Sequence, residues 1–275
     1  MTLHPSIILS TYNSPDWLRK SLWGYESQLM KDFEIVIADD GSREQTTELI
    51  RQFQQQSGLN IKHVWQTDDG FRKTRILNKA VLAASGNYLI FSDGDCVPRN
   101  DFVAVHAGMA RAGHFLSGGY FKLPMSISQA ISKEDIMQGR VFNRRWLRKQ
   151  GLNVPFFKMW KFTARKKSAD ILNRLTPTIA SWNGHNASGW VSDIMAANGF
   201  DERMRYGGED RELGERLVNA GVEPVQIRYN AICVHLDHPR GYVDAEARAL
   251  NDEIRAATAS QQLTRTEHGF NLHSS

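Results

Sequence analysis

The first 95 residues alternate short apolar runs with amphipathic segments, and this alternation constrains the fold more than any other feature. Ser6–Ser10 (SIILS), Phe33–Ala38 (FEIVIA), Ile61–Trp65 (IKHVW) and Tyr88–Ser92 (YLIFS) suit buried strands. Helical signals lie between them. Ser14-Pro15 opens a helix, with Leu18, Leu22, Tyr25 and Leu29 at helical spacing. Ser42 and Gln45 have capping-box spacing ahead of Leu49, Ile50 and Phe53. A third helix near Arg72–Ala84 follows, with Gly86 as its stop. The pattern predicts an α/β fold with a mainly parallel central sheet, right-handed crossovers and helices on both faces.

In open sheets of this kind ligands bind beyond the carboxyl ends of the strands. Just past the four runs stand Thr11-Tyr12-Asn13, Asp39-Asp40-Gly41, Gln66 to Asp69, and Asp93-Gly94-Asp95. Aspartate and glycine are also ordinary turn formers, but four polar groups would converge on one edge. Neighbouring carboxylates on a loop repel, and a divalent cation removes that cost. Mg²⁺ and Mn²⁺ take carboxylate oxygen and bridge to phosphates. Gly94 would allow close backbone approach to those phosphates.

The runs STYN, ADDGS and SDGDC, with DDGFRKTRILNKAVLAASGNYLIFSDGDC between them, resemble the inverting family 2 glycosyltransferases of the GT-A fold, bacterial chondroitin- and hyaluronan-type synthases in particular. The resemblance implies that Asp39 or Asp40 contacts the uracil of a UDP-sugar, with Thr11, Tyr12 and Asn13 around the base. It implies Asp69, Arg75, Asp93 and Gly94 near the donor, and Asp95 on the metal. A carboxylate can accept the imide N–H, and an arginine can offset diphosphate charge.

A second block, NGFDERMRYGGEDRELGERL (Asn198–Leu217), resembles the C-terminal Gly-Gly-Glu-Asp signature of β-1,4-galactosyltransferases and chondroitin-type polymerases. It implies Asp210 as catalytic base and Glu209 as an acceptor-holding group. Tyr206 stands where that family usually has Trp, and either ring can stack on a sugar. Gly207-Gly208 permits an unusual turn, and Leu213 and Leu217 fit a helix packed on the core. Acidic residues at a helix start are also favoured by the dipole alone. His235, just past the apolar run Ala231–Val234, matches a third metal ligand of related enzymes and is preferred to His238. The stretch SWNGHNASGWVSD resembles an acceptor loop, with Trp182 for stacking and His185 and Asn186 for hydrogen bonds; Gly208 completes the acceptor side.

Charge is unevenly placed. Lys122 to Arg174 carries 13 Lys and Arg against 3 Asp and Glu, a net of +10 in a chain of net +4. Aromatics interleave with the positive charges in RRWLRK and KMWKFTARKK, which fits an anionic membrane surface better than nucleic acid; a solvated helical pair packed by Trp146, Phe157 and Trp160 is the plainer alternative. The expected organisation is a nucleotide-sugar half (1–121), a basic helical insert (122–175), an acceptor and catalytic half (176–240) and a polar C-terminal helix over Asp244–Ala257 with a disordered tail (241–275). Two cysteines, Cys96 and Cys233, suit small buried positions in a reducing compartment. The N-terminus has no signal-peptide pattern, and no apolar run approaches the roughly 20 residues of a span. The expected location is cytoplasmic, or peripheral on the inner face of the membrane.

The resemblance implies an inverting, metal-dependent hexosyl- or N-acetylhexosaminyltransferase using Mn²⁺ or Mg²⁺, a UDP-sugar donor and a lipopolysaccharide, capsule or other lipid-linked glycan acceptor, forming a β-glycosidic bond. A metal-dependent nucleotidyltransferase would need a phosphate cradle after the first strand, which STYNSPDW does not offer. A non-catalytic glycan- or nucleotide-binding module is the other alternative.

Overall fold

The computed structural model describes residues 2–164, 166–176, 178–239 and 244–273. Arg165 of the basic segment and Arg240 beyond His238 lie outside them. Ten strands run in chain order: β1 (Pro5–Thr11), β2 (Glu34–Asp39), β3 (Asn60–Trp65), β4 (Tyr88–Asp93), β5 (Cys96–Pro98), β6 (His114–Ser117), β7 (Gly119–Lys122), β8 (Ala187–Trp190), β9 (Glu223–Gln226) and β10 (Ile232–His235). Seven form one sheet, ordered β3-β2-β1-β4-β8-β6-β9, parallel except for β8. β5, β10 and β7 form a second, smaller sheet.

The large sheet follows from period-two side chains in strands covered on both faces. Ile8, Val36, Leu89 and Phe91 point into one core layer. Ile7, Leu9, Ile35, Ile37 and Ile90 point into the other. Helices α1 (Pro15–Glu26) and α2 (Glu44–Gln56) supply Leu18, Leu22, Leu49 and Ile50 to the second layer, and α3 (Lys73–Ala83) supplies Ile76, Leu77 and Ala80 to the first. Register aligns the strand tips: Thr11 lies opposite Asp39, and Ser10 opposite Asp93.

Three local expectations are revised. Helix α2 starts at Glu44 with Arg43 as an uncapped N-cap, so Ser42–Gln45 is not a capping box; the Ser42 hydroxyl instead accepts the Asn13 N–H at 2.9 Å. Helix α3 ends at Ala83 on an extended Ala84, and Gly86 serves a different need. A Cβ there would fall 2.3 Å from the His4 carbonyl oxygen. The C-terminal tail also packs down to His273, with Phe270 buried in the core beside Gly199.

Helix α4 (Phe102–Met109) links the two sheets, and α5 (Met125–Ala130), α6 (Lys133–Met137), α7 (Arg144–Lys149), α8 (Trp160–Thr163) and α9 (Lys166–Leu175) make up the basic segment. The segment is not a solvated pair. Ile127, Ile136, Val141, Leu147 and Phe162 form a core of their own against Val97, Val234 and Leu236 of and beside the small sheet. Trp146 packs at its margin, while Phe157 and Trp160 are exposed. Helix α10 (Val191–Ala196) follows β8, α11 (Glu209–Asn219) opens at the Gly207-Gly208 turn, and α12 (Ala245–Ser260) packs on α11. No described helix is long and apolar enough to cross a membrane.

Helix α11 is fixed by a buried ion pair. Arg216, fully buried, donates to both Glu212 carboxylate oxygens at 2.8 Å and also to the Ala197 and Gly199 carbonyls. Thr258 of α12 donates to the same carboxylate at 2.9 Å. Removing one partner of such a pair strands the other charge. Arg216→Met should therefore lower stability by about 3–5 kcal/mol in urea denaturation, and adding Glu212→Gln should recover part of the loss.

Candidate active site

The aligned strand tips open into a cleft of about 1080 Å³. Its floor comes from β1 and β4. Gly94 donates its N–H to the Ser10 carbonyl at 2.7 Å, and a Cβ on it would fall 2.9 Å from that oxygen. Only glycine allows this approach, which folds the Asp93-Gly94-Asp95 turn back onto β1. Asp93 accepts from the Ser10 hydroxyl at 2.6 Å and from Lys73 Nζ at 2.7 Å. Burial alone would raise the Asp93 carboxyl; the Lys73 charge overcomes it and holds the group well below the usual carboxylate range. Lys73 is pushed up in turn: burial opposes its charge, but Asp93, Glu209 and Asp210 outweigh it.

The small sheet supplies the next wall. Antiparallel pairing sets His235 opposite Cys96, and Leu236 donates its N–H to the Asp95 carbonyl at 2.9 Å. Asp95 and His235 are therefore neighbours by backbone register. His238 joins them, its Nε2 3.0 Å from Asp95 Oδ2, with His235 Nε2 at 3.7 Å. One ligand atom from each of the three lies within 4.8 Å of the others. His235 Nδ1 is buried with no hydrogen-bond partner. One carboxylate and two imidazoles are a ligand set for a divalent cation, which would relieve the crowding. Cys96 and Cys233 are free, buried and outside this group.

Asp210 faces the cleft from the first turn of α11. Gly207 and Gly208 have φ of 115° and 91°, left-handed values that bulkier residues resist. The Asp210 carboxylate accepts N–H bonds from Gly184 at 2.9 Å and Arg211 at 2.8 Å. Glu209, largely buried, accepts from Gly207 N–H at 2.8 Å, and burial raises its carboxyl. Tyr206 packs edge-on against Phe71, centroids 5.8 Å apart.

Thr11, Tyr12, Asn13, Asp40 and Gly94 all line the cleft, as do His185, Tyr206 and Gly208. The Thr11 hydroxyl is buried and unpartnered. Tyr12 donates to Asp68 at 2.9 Å, and Asn13 Oδ1 accepts from Arg43 N–H at 2.9 Å. Asp40 accepts from Gln66 at 2.6 Å and from Arg72 N–H at 2.9 Å; burial pushes its carboxyl up to about 6. Burial holds the His185 imidazole down at about 4.

Five expected residues lie elsewhere. Asp39 is fully buried and spends its carboxylate on Ser42 N–H at 2.8 Å and His63 at 2.9 Å, a turn-holding role. Asp69 pairs with Arg72 at 3.0 Å, and Arg75 with Asp69 at 3.7 Å and Glu202 at 3.8 Å, outside the cleft lining. Trp182 cannot stack on a sugar: it is fully buried between Phe91 and Phe115. A Cβ on Gly214 of α11 would come 2.6 Å from Trp182 Cβ, so the helix lies directly on this residue. Asn186 is also fully buried, donating to the Gly119 and Ala231 carbonyls at 2.8 and 3.2 Å and facing His106 Nε2 at 2.9 Å. Sequence reasoning missed Lys73, which sits in a helix of ordinary amphipathic pattern, and ranked His238 below His235. It also missed Arg248, Asp252 and Arg255 of α12, which line the cleft from a helix that reads as merely polar.

The match to the glycosyl transferase family 2 model covers residues 6–170, more than half of the chain. The chain belongs to glycosyltransferase family 2. It is 29% identical over 249 residues to the validoxylamine A glucosyltransferase of Streptomyces hygroscopicus subsp. jinggangensis, covering 86% of this chain and 56% of that protein. It is 29% identical over 280 residues to the chondroitin synthase of Escherichia coli, covering 94% of this chain and 38% of that one. The chain thus spans about half or less of these relatives. Among solved structures it resembles the mannosyltransferase PcManGT of Pyrobaculum calidifontis, in complex with GDP-Man and Mn²⁺, at TM-score 0.61 and 18% identity over 95% of this chain and 65% of that one. It also resembles TarS 1-349 of S. aureus in complex with UDP-GlcNAc, at TM-score 0.58 and 15% identity over 87% and 60%. The fold is GT-A.

The wall that bears Asn186 has a pH signature. Buried His106 sits between Ser188 at 2.7 Å and Asn186, and burial lowers its imidazole to about 4. Its folded value lies below the unfolded one, so the unfolded chain binds the extra proton first and stability falls as pH drops from about 6.5 towards 4. At pH 5 the loss should be about 2 kcal/mol relative to pH 7, and His106→Gln should flatten that part of a urea-denaturation pH profile.

Proposed function

We propose that this chain is a glycosyltransferase that moves a hexosyl or N-acetylhexosaminyl group from a UDP-sugar to a hydroxyl of a growing glycan, with inversion to a β-glycosidic bond. The observation that carries this reading is a single cleft shared by Asp95, His235 and His238 on one side and Asp210, on a separate helix, on the other. Solved neighbours in complex with GDP-Man and with UDP-GlcNAc support a nucleotide-sugar donor.

The uracil sits at the β1 and β2 tips. Asp40, not Asp39, has a carboxylate on the cleft to accept the imide N–H, and the Thr11 hydroxyl is unspent beside it. Tyr12 and Asn13 close the base pocket. Lys73 brings positive charge to the donor side and keeps Asp93 ionised. Asp95, His235 and His238 would hold Mn²⁺ or Mg²⁺, which when bound supplies Lewis-acid stabilisation of the leaving diphosphate.

Asp210 is the base. Its two N–H bonds fix the carboxylate, and it takes the acceptor proton as the hydroxyl oxygen attacks C1. The bond from C1 to the diphosphate oxygen breaks, and its electron pair leaves with UDP. One displacement from the opposite face inverts the anomeric centre, so an α-linked donor gives a β-linked product. Glu209 orients the acceptor, with Tyr206, His185 and Gly208 forming the rest of that side.

A lipid-linked acceptor, such as a lipopolysaccharide or capsule precursor, would bring the enzyme to a membrane, and the basic segment supports that placement. Phe157, Trp160, Ile171 and Leu175 are 59%, 42%, 55% and 72% exposed, in sequence among Lys158, Lys167 and Arg174. Aromatics and aliphatics over cations suit an anionic bilayer surface. The chain should co-sediment with phosphatidylserine-containing liposomes at low salt and lose most of that binding with Phe157→Ser and Trp160→Ser together. A chain that stays in the supernatant removes the membrane from the reading.

The transfer itself is tested with a nucleotide-sugar panel and Mn²⁺. Asp210→Asn should slow transfer by about 100-fold or more while leaving UDP affinity within about twofold. Asp95→Ala should instead weaken UDP binding and abolish its dependence on Mn²⁺. Near-full turnover by Asp210→Asn would displace that residue as base.

A further inference from the structure

Helix α12 forms the outer wall of the cleft beside the base. Asn251, fully buried, donates to the Arg205 and Gly207 carbonyls at 3.0 and 2.9 Å, and so clamps α12 onto the turn that carries Asp210. Arg248 and Arg255 stand three residues before and four after Asn251, on the same face of the helix, and both line the cleft. Their alkyl stems lie over the glycine pair: a Cβ on Gly207 would be 3.5 Å from Arg248 Cγ, and one on Gly208 3.2 Å from Arg255 Cδ.

Three arginines, Arg248 and Arg255 of α12 and Arg211 of α11, line this side of the cleft and are not equivalent. Arg255 is neutralised by Glu215 at 2.5 Å and lies in the field of Asp252. Arg248 and Arg211 are exposed, line the cleft and form no ion pair with any described residue. Both also lie near the start of a helix, Arg211 in the first turn of α11 and Arg248 as the fourth residue of α12. A cation there faces the positive end of the helix dipole and gains nothing from it. Two exposed guanidiniums placed against that field, without an ion-pair partner and flanking Asp210, are open to a negative group from outside the chain. Asp252 opposes such a partner from the same wall, but its charge is directed at Arg255.

Resting on the transferase reading above, we propose that the acceptor glycan is anionic, and that Arg211 and Arg248 grip a carboxylate or phosphate carried next to the hydroxyl that Asp210 deprotonates. Guanidinium forks match the paired oxygens of either group. Tyr206 lines the same side of the cleft.

The test is calorimetric titration of the full chain, with Mn²⁺ and UDP present, against three probes: a tetrasaccharide alternating hexuronic acid and N-acetylhexosamine, a glycerol phosphate trimer and a neutral glucose tetrasaccharide. At least one anionic probe should bind more tightly than the neutral one, and which of them binds identifies carboxylate or phosphate as the source. Arg211→Gln and Arg248→Gln should each weaken that probe about tenfold and leave UDP affinity and melting temperature unchanged. The proposal is overturned if the neutral probe binds as well as the anionic ones, if no anionic probe binds, or if either variant loses UDP affinity instead. UDP binding with Mn²⁺ is measured separately, and its absence in the wild type would count against the transferase reading rather than against the charge of the acceptor.

Discussion

Crowding of carboxylates is the constraint around which the cleft is built. Asp93, Asp95, Glu209 and Asp210 converge from two sheets and a helix. Without compensation the repulsion would splay the strand tips apart or protonate the acids. Lys73 answers it internally, bound to Asp93 at 2.7 Å and charged because Asp93, Glu209 and Asp210 surround it. The ion pair also ties the start of α3 to the tip of β4, so the same interaction that balances charge fixes the width of that end of the cleft. Asp95 lies beyond the reach of that lysine and is answered by imidazoles instead.

Much of the fold was legible because it is written in local patterns. Strand runs with apolar residues on both faces can only be buried in a sheet, and four observed strands fall within two residues of the runs read from sequence. The acidic groups after those runs reach the cleft because register aligns strand ends, a consequence of parallel pairing. Of the small sheet only β10 was legible, as the apolar run Ala231–Val234. The sheet's strands are three or four residues long, and β5 lies more than 130 residues from β10 in sequence. Their pairing depends on tertiary contact, so the approach of His238 to Asp95 had no local sign.

Residues misplaced by sequence reasoning share a physical reason. Trp182 and Asn186 are types that bind sugars well, but the same chemistry fills cores and ties strands. An aromatic ring under a helix and an amide bridging two backbone carbonyls look identical, in sequence, to a stacking platform and a hydroxyl ligand. Asp39 and Asp40 are adjacent, and only the twist of the chain after β2 decides which carboxylate turns inward to the Ser42 N–H and His63 and which faces the cleft. Lys73 and the α12 arginines were hidden differently. They lie in helices whose polar positions are usually solvated, and it takes the packed structure to reveal that these particular positions look into a cavity.

Gly214 shows how far from the cleft the placement of Asp210 is set. The missing methyl lets α11 rest on the Trp182 main chain, and Asp210 stands one helical turn away on the same side of the rod. With the buried Arg216–Glu212 pair, two residues to either side of Gly214, securing the helix, α11 behaves as a lever whose fulcrum is that contact. A single added carbon at the fulcrum would lift the end that carries Asp210 outward. Drift at position 214 would thus be read as a change in reach across the cleft, long before it registered as a loss of folding.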